Sequence, residues 1–312
     1  MIEAGNRKQK KLSKKDKGQM FLRHCSKHPL DVLRLSKATV LYGIEGVKAR
    51  AEELAVKEWE TQKKGGKKKE CKETKAKKIL YSIKFSIIMP VYNVEIKWLD
   101  KALESIKAQT YKNWEVCIAD DASTDLSVQE YLKNIDDKRM KIKFLEENLG
   151  ISGASNEAAS MATGDYLLLM DNDDELHRDA LYDFFKDIMK TKADIIYSDM
   201  DMIDVDGNHS SPLYKPDWSP DLMLSQMYLG HLVGFKRELF KLCKGFQTEF
   251  DGAQDYDLIL RMCEFAKYIS HVPKVLYSWR TLPTSTAANA DSKPYAQIAG
   301  QKAIQAHLDR RL

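Results

Sequence analysis

Asp171 and Asp173 stand two residues apart at the end of an apolar run, in the sequence Leu168-Leu-Met-Asp-Asn-Asp-Asp174. A hydrophobic strand that ends in carboxylates at i and i+2 can hold a divalent metal at a sheet edge, and the natural charge partner of such a metal is a diphosphate. Residues 166–170 are apolar without alternation, as in a strand covered on both faces, and ligands of open α/β sheets collect beyond the carboxyl ends of such strands. The bland reading is a surface turn with acidic helix-capping residues, because 179–189 is helical in pattern. Two more apolar runs end in the same way, 85–91 before Asn93 and 114–119 before Asp120 and Asp121. Parallel strands would bring all three ends to one rim, where carboxylates accept the donors of a base and a ribose and a cation matches the charge of a diphosphate. This division of labour suggests a nucleotide.

No GxGxxG follows the first strand and no GxxxxGK[ST] occurs anywhere, so the glycine-rich ways of cradling phosphate are absent. A metal is the alternative. At ~4 Å and an effective dielectric of ~20 a unit charge pair is worth about 4 kcal/mol, and a divalent ion about double, before desolvation.

The elements that must position these residues follow from periodicity. Strands are predicted over 85–91, 114–119, 142–145, 166–170, 194–198, 231–235 and 275–279. Helices are predicted over 98–109, around Val128, Tyr131 and Leu132, through the small residues up to Met161, and over 179–189 and 238–242. Two more carry the face Leu258, Met262 and Phe265 and the closing segment 295–308. Asp206-Gly207-Asn208 reads as a hairpin turn, and Pro212, Pro216 and Pro220 break any long helix between 210 and 225. Strands alternating with helices imply an α/β fold with parallel order and right-handed crossovers.

With 312 residues and 43% hydrophobic content the chain is long enough for one large domain plus appendages. Of its 50 Lys/Arg and 46 Asp/Glu, 23 and 10 fall in residues 1–80, so that part is strongly basic and the remainder acidic. Helices are expected within 21–60 and a solvated Lys-rich linker over 61–80, with a second domain over 81–312. The Lys-rich stretch lacks interleaved aromatic or Arg readers, so no nucleic acid is expected as partner, and reversible contact with an anionic membrane surface is the functional reading for it. Five scattered cysteines give neither a zinc site nor a disulfide framework. No apolar stretch reaches the ~20 residues of a membrane helix and no secretory signal is evident, which makes the cytoplasm, at the inner membrane face, the expected location.

The motifs Ser86-Ile-Ile-Met-Pro-Val-Tyr-Asn93, Ala119-Asp-Asp-Ala-Ser-Thr-Asp125, Asn148-Leu-Gly-Ile-Ser-Gly-Ala-Ser-Asn156, Met170-Asp-Asn-Asp-Asp-Glu-Leu176, Lys215-Pro-Asp-Trp-Ser-Pro-Asp221 and Gly252-Ala-Gln-Asp-Tyr-Asp-Leu258 together resemble glycosyltransferase family 2. The likeness is to the O-antigen, capsule or rhamnan-type group and runs from Phe85 to about Arg311. It implies a GT-A fold, a mostly parallel central sheet flanked by helices, here behind a basic helical extension. It also implies a metal-dependent inverting transferase that moves a sugar from a nucleotide-diphosphate donor to a glycan acceptor, lipid-linked, in cell-surface polysaccharide synthesis. By the resemblance, Pro90, Tyr92 and Asn93, with Asn148, belong to the nucleotide-sugar site; Asp121 holds the base with Asp120 in support. Asp171 approaches the ribose and shares with Asp173 the Mn2+ or Mg2+ that binds the diphosphate.

The resemblance makes Asp255 the base that deprotonates the acceptor hydroxyl, against the bland reading of Asp255 or Asp257 as a helix cap. Trp218, Tyr228 and His231 lie where similar proteins bind acceptor; Trp218 is taken as the residue that stacks on the sugar and Tyr228 as core packing. Similar proteins often carry Arg at position 155 and His at 278 and near 282, where this chain has Ser155, Ser278 and Leu282. Where such a histidine would serve metal or phosphate, Arg280 or solvent is expected to do so here, and His271 reads as a structural strand-end residue. Two other readings stand beside this one. Nucleotidyl transfer to a sugar phosphate lacks its glycine-rich first loop, and a catalytically silent sugar-nucleotide or polyanion binder would leave Asp255 idle.

Overall fold

Strand β1, Phe85–Val91, divides its side chains between two cores: Phe85, Ile87, Met89 and Val91 enter one and Ile88 the other. Burial on both faces explains why the run shows no polar alternation. The computed structural model describes residues 83–282 and 294–311. From β1 the chain continues through α1 (Ile96–Lys107), β2 (Trp114–Asp120), α2 (Leu126–Lys133), β3 (Met140–Phe144), α3 (Gly150–Ser160) and β4 (Tyr166–Leu169). Helix α1 buries Trp98, Leu99, Ala102, Leu103 and Ile106, the face its spacing predicts. Asp125 caps α2 by accepting a hydrogen bond from Ser127 N. Helix α3 buries Ala154, Ser155, Ala158 and Ala159, and such small side chains let it approach the second face of the sheet closely.

Next come β5 (Glu175–Leu176), α4 (Ala180–Thr191), β6 (Ile195–Ile203), β7 (His209–Leu213), α5 (Pro220–Met223), β8 (Val233–Lys236), α6 (Arg237–Leu242), a 3-10 turn, α7 (Gln254–Cys263), β9 (Ile269–Arg280) and α8 (Pro294–Arg311). Among the described residues nine strands form one sheet in the order β3-β2-β1-β4-β8-β6-β9-β5, with β7 paired to β6. The pairs β1/β2, β2/β3, β1/β4 and β6/β9 are parallel, as the alternation of elements implies. Strand β8 is not: it runs antiparallel to both β4 and β6. The sheet is therefore mixed, and β8 begins at the rim where β4 ends, with Val233 opposite Leu169.

Other departures have local causes. Strand β6 runs past its predicted end at 198 because its hairpin with β7, around the predicted turn at 206–208, extends the pairing. Strand β9 starts at Ile269 rather than 275, since its first residues pair with β6 before a register shift near Asp199. The two-residue β5 is too short to leave a periodic signal. Among the described residues no helix is long and apolar enough to cross a membrane. Cys117, Cys243 and Cys263 are free, and the first two are buried. The helices expected within 21–60 and the Lys-rich 61–80 lie outside the described residues.

One buried charge fastens the sheet to the loop before β4. Glu115 receives Lys84 Nζ at 2.5 Å, Ser86 Oγ at 2.7 Å and Thr163 N at 2.6 Å, and Lys141 Nζ lies 3.0 Å away. Burial on its own would raise its pKa; these donors outweigh burial and hold the carboxyl at about 2. An acid whose folded pKa lies below its unfolded value stabilises the fold above the unfolded pKa, and that contribution fades as pH falls through the folded one. Glu115 should therefore contribute up to about 3 kcal/mol at neutral pH, lost between about pH 4.5 and pH 2. Urea unfolding of Glu115→Gln at pH 7 should show the loss, and the gap from wild type should narrow below pH 4; a constant gap would refute the assignment.

Candidate active site

The rim formed by β1, β2 and β4 carries the residues singled out from sequence, and their hydrogen bonds sort them into groups with different roles. Asn93, in the left-handed region at φ 47°, is occupied with the neighbouring loop. Its backbone N–H donates to Ser123 Oγ, its Nδ2 donates to Thr124 Oγ1 at 3.0 Å, and its Oδ1 accepts from Asp125 N at 3.0 Å. Asn93 thus shapes the second loop rather than presenting free polar atoms. Tyr92 beside it is exposed.

Asp121 and Asn148 join the β2 loop to the start of α3. Asp121 Oδ1 accepts from Leu149 N at 2.7 Å, Asn148 Nδ2 donates to Asp121 O at 3.1 Å, and Asn148 Oδ1 accepts from Gly150 N at 3.2 Å. Ala122 follows at φ 56°, a conformation that costs a non-glycine residue about 1–3 kcal/mol and is characteristic of sites held for function. Asp120 differs from all of these. It is fully buried, and neither carboxyl oxygen has a hydrogen-bond partner among the described residues.

The acidic turn after β4 is fastened from behind by β9. Asp171 N donates to Tyr277 Oη, which donates to Asp174 Oδ2 at 2.5 Å, and Arg280 N donates to Asp174 Oδ1 at 2.7 Å. The Arg280 guanidinium reaches Asp173 O at 2.7 Å and Asp204 O at 3.2 Å, pairs with Glu175 and stacks 4.5 Å over Trp98. It is wholly buried and braces the turn, so of the two substitutes expected for a histidine, Arg280 or solvent, Arg280 is not placed to meet phosphate. Asn172 Nδ2 donates to Pro90 O at 2.8 Å, tying the turn to β1. Burial first, and then the charge of Asp171, push the Asp173 carboxyl up to about 6.

Two carboxylates that repel each other at a partly buried turn fit a hard cation. Among the described residues no three His, Cys, Asp or Glu side chains gather into a metal-binding group. The fit is to an ion held by one or two carboxylates, with its remaining ligands from phosphate oxygens and water.

A cavity of about 360 Å3 opens beside this turn. Pro90 and Asp171 line one side; His231, Gln254 and Asp255 line it from the segments before β8 and around the start of α7. Asp255 is not the N-cap of α7, a position held by Ala253; its Oδ1 accepts from Tyr256 N at 2.8 Å. Burial raises its pKa, Asp171 adds to the rise, and His231 acts against it. Asp257 is fully buried and paired with Arg261 at 2.5 Å, so of the two carboxylates only Asp255 faces the cavity.

His231 Nε2 lies 3.5 Å from Asp171 Oδ2 and its ring stacks on Tyr277 with centroids 4.9 Å apart. Burial would lower its pKa, but the charge and hydrogen bond of Asp171, then Asp174 and Asp255, raise it to about 9. By sequence His231 belongs only to an acceptor-binding segment. Its place opposite Asp171 depends on the reversed direction of β8, which no local pattern encodes.

Trp218, expected to stack on an acceptor sugar, is partly buried, packs against the second core and stacks on Tyr228 at 6.4 Å. It does not line the cavity. Tyr228 is buried, as expected. His271 is a structural residue: its Nε2 meets Asp199 at 2.8 Å, its Nδ1 meets Asp217 at 3.2 Å, and its ring stacks on Tyr197.

The sequence pattern of Glycosyl transferase family 2 matches residues 86–246. Protein y4gI of Sinorhizobium fredii is 43% identical over 230 residues, covering 72% of this chain and 25% of that protein. The O-antigen biosynthesis protein RfbC of Myxococcus xanthus is 31% identical over 229 residues, covering 72% of this chain and 18% of its own length. The chain thus spans a quarter or less of these two relatives. The crystal structure of S. aureus TarS 1–349 in complex with UDP-GlcNAc superposes with a TM-score of 0.59 at 24% identity, over 72% of this chain and 66% of that one, a likeness of fold.

Proposed function

The chain belongs to glycosyl transferase family 2, and from that membership we propose that it transfers a sugar, with inversion, from a nucleotide-diphosphate donor to a glycan acceptor during polysaccharide synthesis. The observation that carries this reading is the cavity lined at once by Asp171 of the acidic turn and Asp255 of α7. An acceptor hydroxyl between them attacks the anomeric carbon. Asp255 takes the hydroxyl proton, the new C–O bond forms, and the bond to the diphosphate breaks with its electrons leaving on the phosphate oxygen. Burial suits Asp255 to this task, because a raised pKa makes the ionised carboxylate a stronger base. Mn2+ or Mg2+ held by Asp173 and Asp171 would neutralise the charge that gathers on the departing diphosphate. A lipid-linked acceptor belongs to the same proposal, as do peripheral contact with an anionic membrane through residues 1–80 and a glycosyltransferase domain over 81–312. The similarity to RfbC supports the polysaccharide role.

Within the donor site, Asp121 is the residue proposed to meet the base, with Asp120 in support, because Asp120 is fully buried and offers a ligand no surface. Asp121 Oδ1 accepts from Leu149 N, and a carboxylate has further lone pairs for the N–H groups of a base. The test is a thermal-shift panel of nucleoside diphosphates and their sugars with and without Mn2+, followed by assay for release of the nucleoside diphosphate. A ligand at about 100 times its Kd stabilises by about 2.7 kcal/mol. Asp121→Asn should lose most of that ligand-induced shift. Asp121→Ala should lose about 1–3 kcal/mol of fold stability by stranding Leu149 N. No shift and no turnover across the panel would overturn the donor class; binding without turnover would favour a silent sugar-nucleotide binder.

A further inference from the structure

Lys215 is a buried lysine whose side chain plays no part in the chemistry above. Its Nζ donates three hydrogen bonds, to Ser198 O at 2.5 Å, Leu229 O at 2.5 Å and His231 O at 2.6 Å. An ammonium has three N–H donors, and here each meets one carbonyl. Ser198 lies in the middle of β6, whereas Leu229 and His231 belong to the stretch between α5 and β8 that supplies one wall of the cavity. One charge therefore ties a strand of the sheet to the wall that carries His231 opposite Asp171.

The surroundings of Lys215 are fixed in turn. Its backbone N–H donates to Asp199 Oδ1 at 2.9 Å, and the same oxygen meets His271 Nε2 at 2.8 Å. Gly230, between the two carbonyls of the wall, lies at φ 45°, and a Cβ there would sit 3.9 Å from Lys215 Nζ and 3.6 Å from Met200 Sδ. Burial pulls the Lys215 ammonium down to about 7, against the charge of Asp199. A cation buried without a contacting carboxylate is expensive, and three carbonyl dipoles offset that cost only while all three stay in place. The arrangement consequently resists displacement of Leu229 and His231 in a way that a leucine at position 215 could not.

We propose that Lys215 is a positioning residue: by bridging the carbonyls of Ser198, Leu229 and His231 it holds the cavity wall in the geometry that turnover requires. The proposal rests on the transferase reading of the cavity. Misplacement of a supporting element by ~1 Å can cost about 100-fold in rate. Lys215→Met, which keeps the stem and removes the donors, should lower kcat about 10- to 100-fold with a smaller change in donor KM, and Lys215→Arg should recover part of the loss.

A purely structural role would lower thermal stability but leave the kinetic constants of the folded fraction intact, so unfolding curves and kinetics are read on the same samples. In a His231→Ala background, Lys215→Met should cost no more than about twofold, because a shift of the wall then no longer displaces an imidazole from Asp171. Hydrogen exchange over residues 229–232 should accelerate in Lys215→Met. If Lys215→Met does not fold, Gly230→Ala perturbs the same junction from the wall side and should give the same kcat loss and the same coupling to His231. Wild-type kcat in a folded Lys215→Met, or in Gly230→Ala where only that variant folds, would overturn the proposal, as would additive losses with His231→Ala. A wild-type protein that turns over no nucleotide sugar would instead overturn the transferase reading; unchanged exchange over 229–232 in Lys215→Met would then overturn the positioning role separately.

Discussion

Asp255→Asn is expected to lower kcat by about three orders of magnitude while leaving donor affinity within about threefold of wild type. The change removes proton affinity and little else. Asn keeps the volume and an oxygen able to accept from Tyr256 N, as the Asp255 side chain does at the start of α7. It cannot take up the proton that the acceptor hydroxyl releases as the glycosidic bond forms. Because Asp255 faces the cavity and is not the N-cap of its helix, the helix should start where it does now and the unfolding midpoint should hold. Steady-state transfer assays beside thermal unfolding read both quantities. A folded Asp255→Asn with kcat within tenfold of wild type would require another base, and no other carboxylate from α7 faces the cavity.

The second large effect is expected at Asp173. Asp173→Asn should abolish the Mn2+-dependent part of nucleoside diphosphate binding and lower transfer by about 1,000-fold, several kcal/mol of lost charge stabilisation. Its effect on the protein alone should be the reverse. Burial and the neighbouring Asp171 raise the Asp173 carboxyl to about 6, so at neutral pH its ionised form strains the turn. Removing the charge relieves that strain, and in metal-free buffer the midpoint should stay level or rise. Stability and activity moving in opposite directions distinguishes a ligand held for function from one that supports the fold. Calorimetric titration of a nucleoside diphosphate with and without Mn2+, beside unfolding in chelator, makes the comparison; a fall in both would mark Asp173 as structural.

Much of this site can be read in the sequence because its first half is local. The runs 85–91, 114–119 and 166–170 announce buried strands, and the Asn and Asp residues that follow each must share a rim once the strands are parallel. What lies beyond that reading depends on direction and on partner choice. Strand β8 has the length and composition of any short buried strand, and nothing in its residues says that it runs against β4, yet that reversal brings His231 beside Asp171.

Hydrogen-bond partners are equally hidden. Asp120 and Asp121 are adjacent and chemically identical, and only the position of Leu149 N separates an occupied carboxylate from one without a partner. Asn93 and Arg280 are drawn into bracing for the same reason. The Asn93 amide both donates and accepts and the Arg280 guanidinium carries five donors, and neighbouring protein groups claim them first. Trp218 follows the usual fate of large aromatics, whose apolar area is worth most against other rings.

The clamp on the acidic turn has a temporal meaning. Every carboxylate assigned to donor or metal is made before residue 175, but Tyr277 and Arg280, which fasten that turn, belong to β9, which follows the other eight described strands in chain order. During synthesis from the amino end, the early strands can assemble with the turn still unfastened. A nascent or truncated chain would thus carry the ligands without the means to hold them, and catalytic competence would arrive only when the closing strand docks.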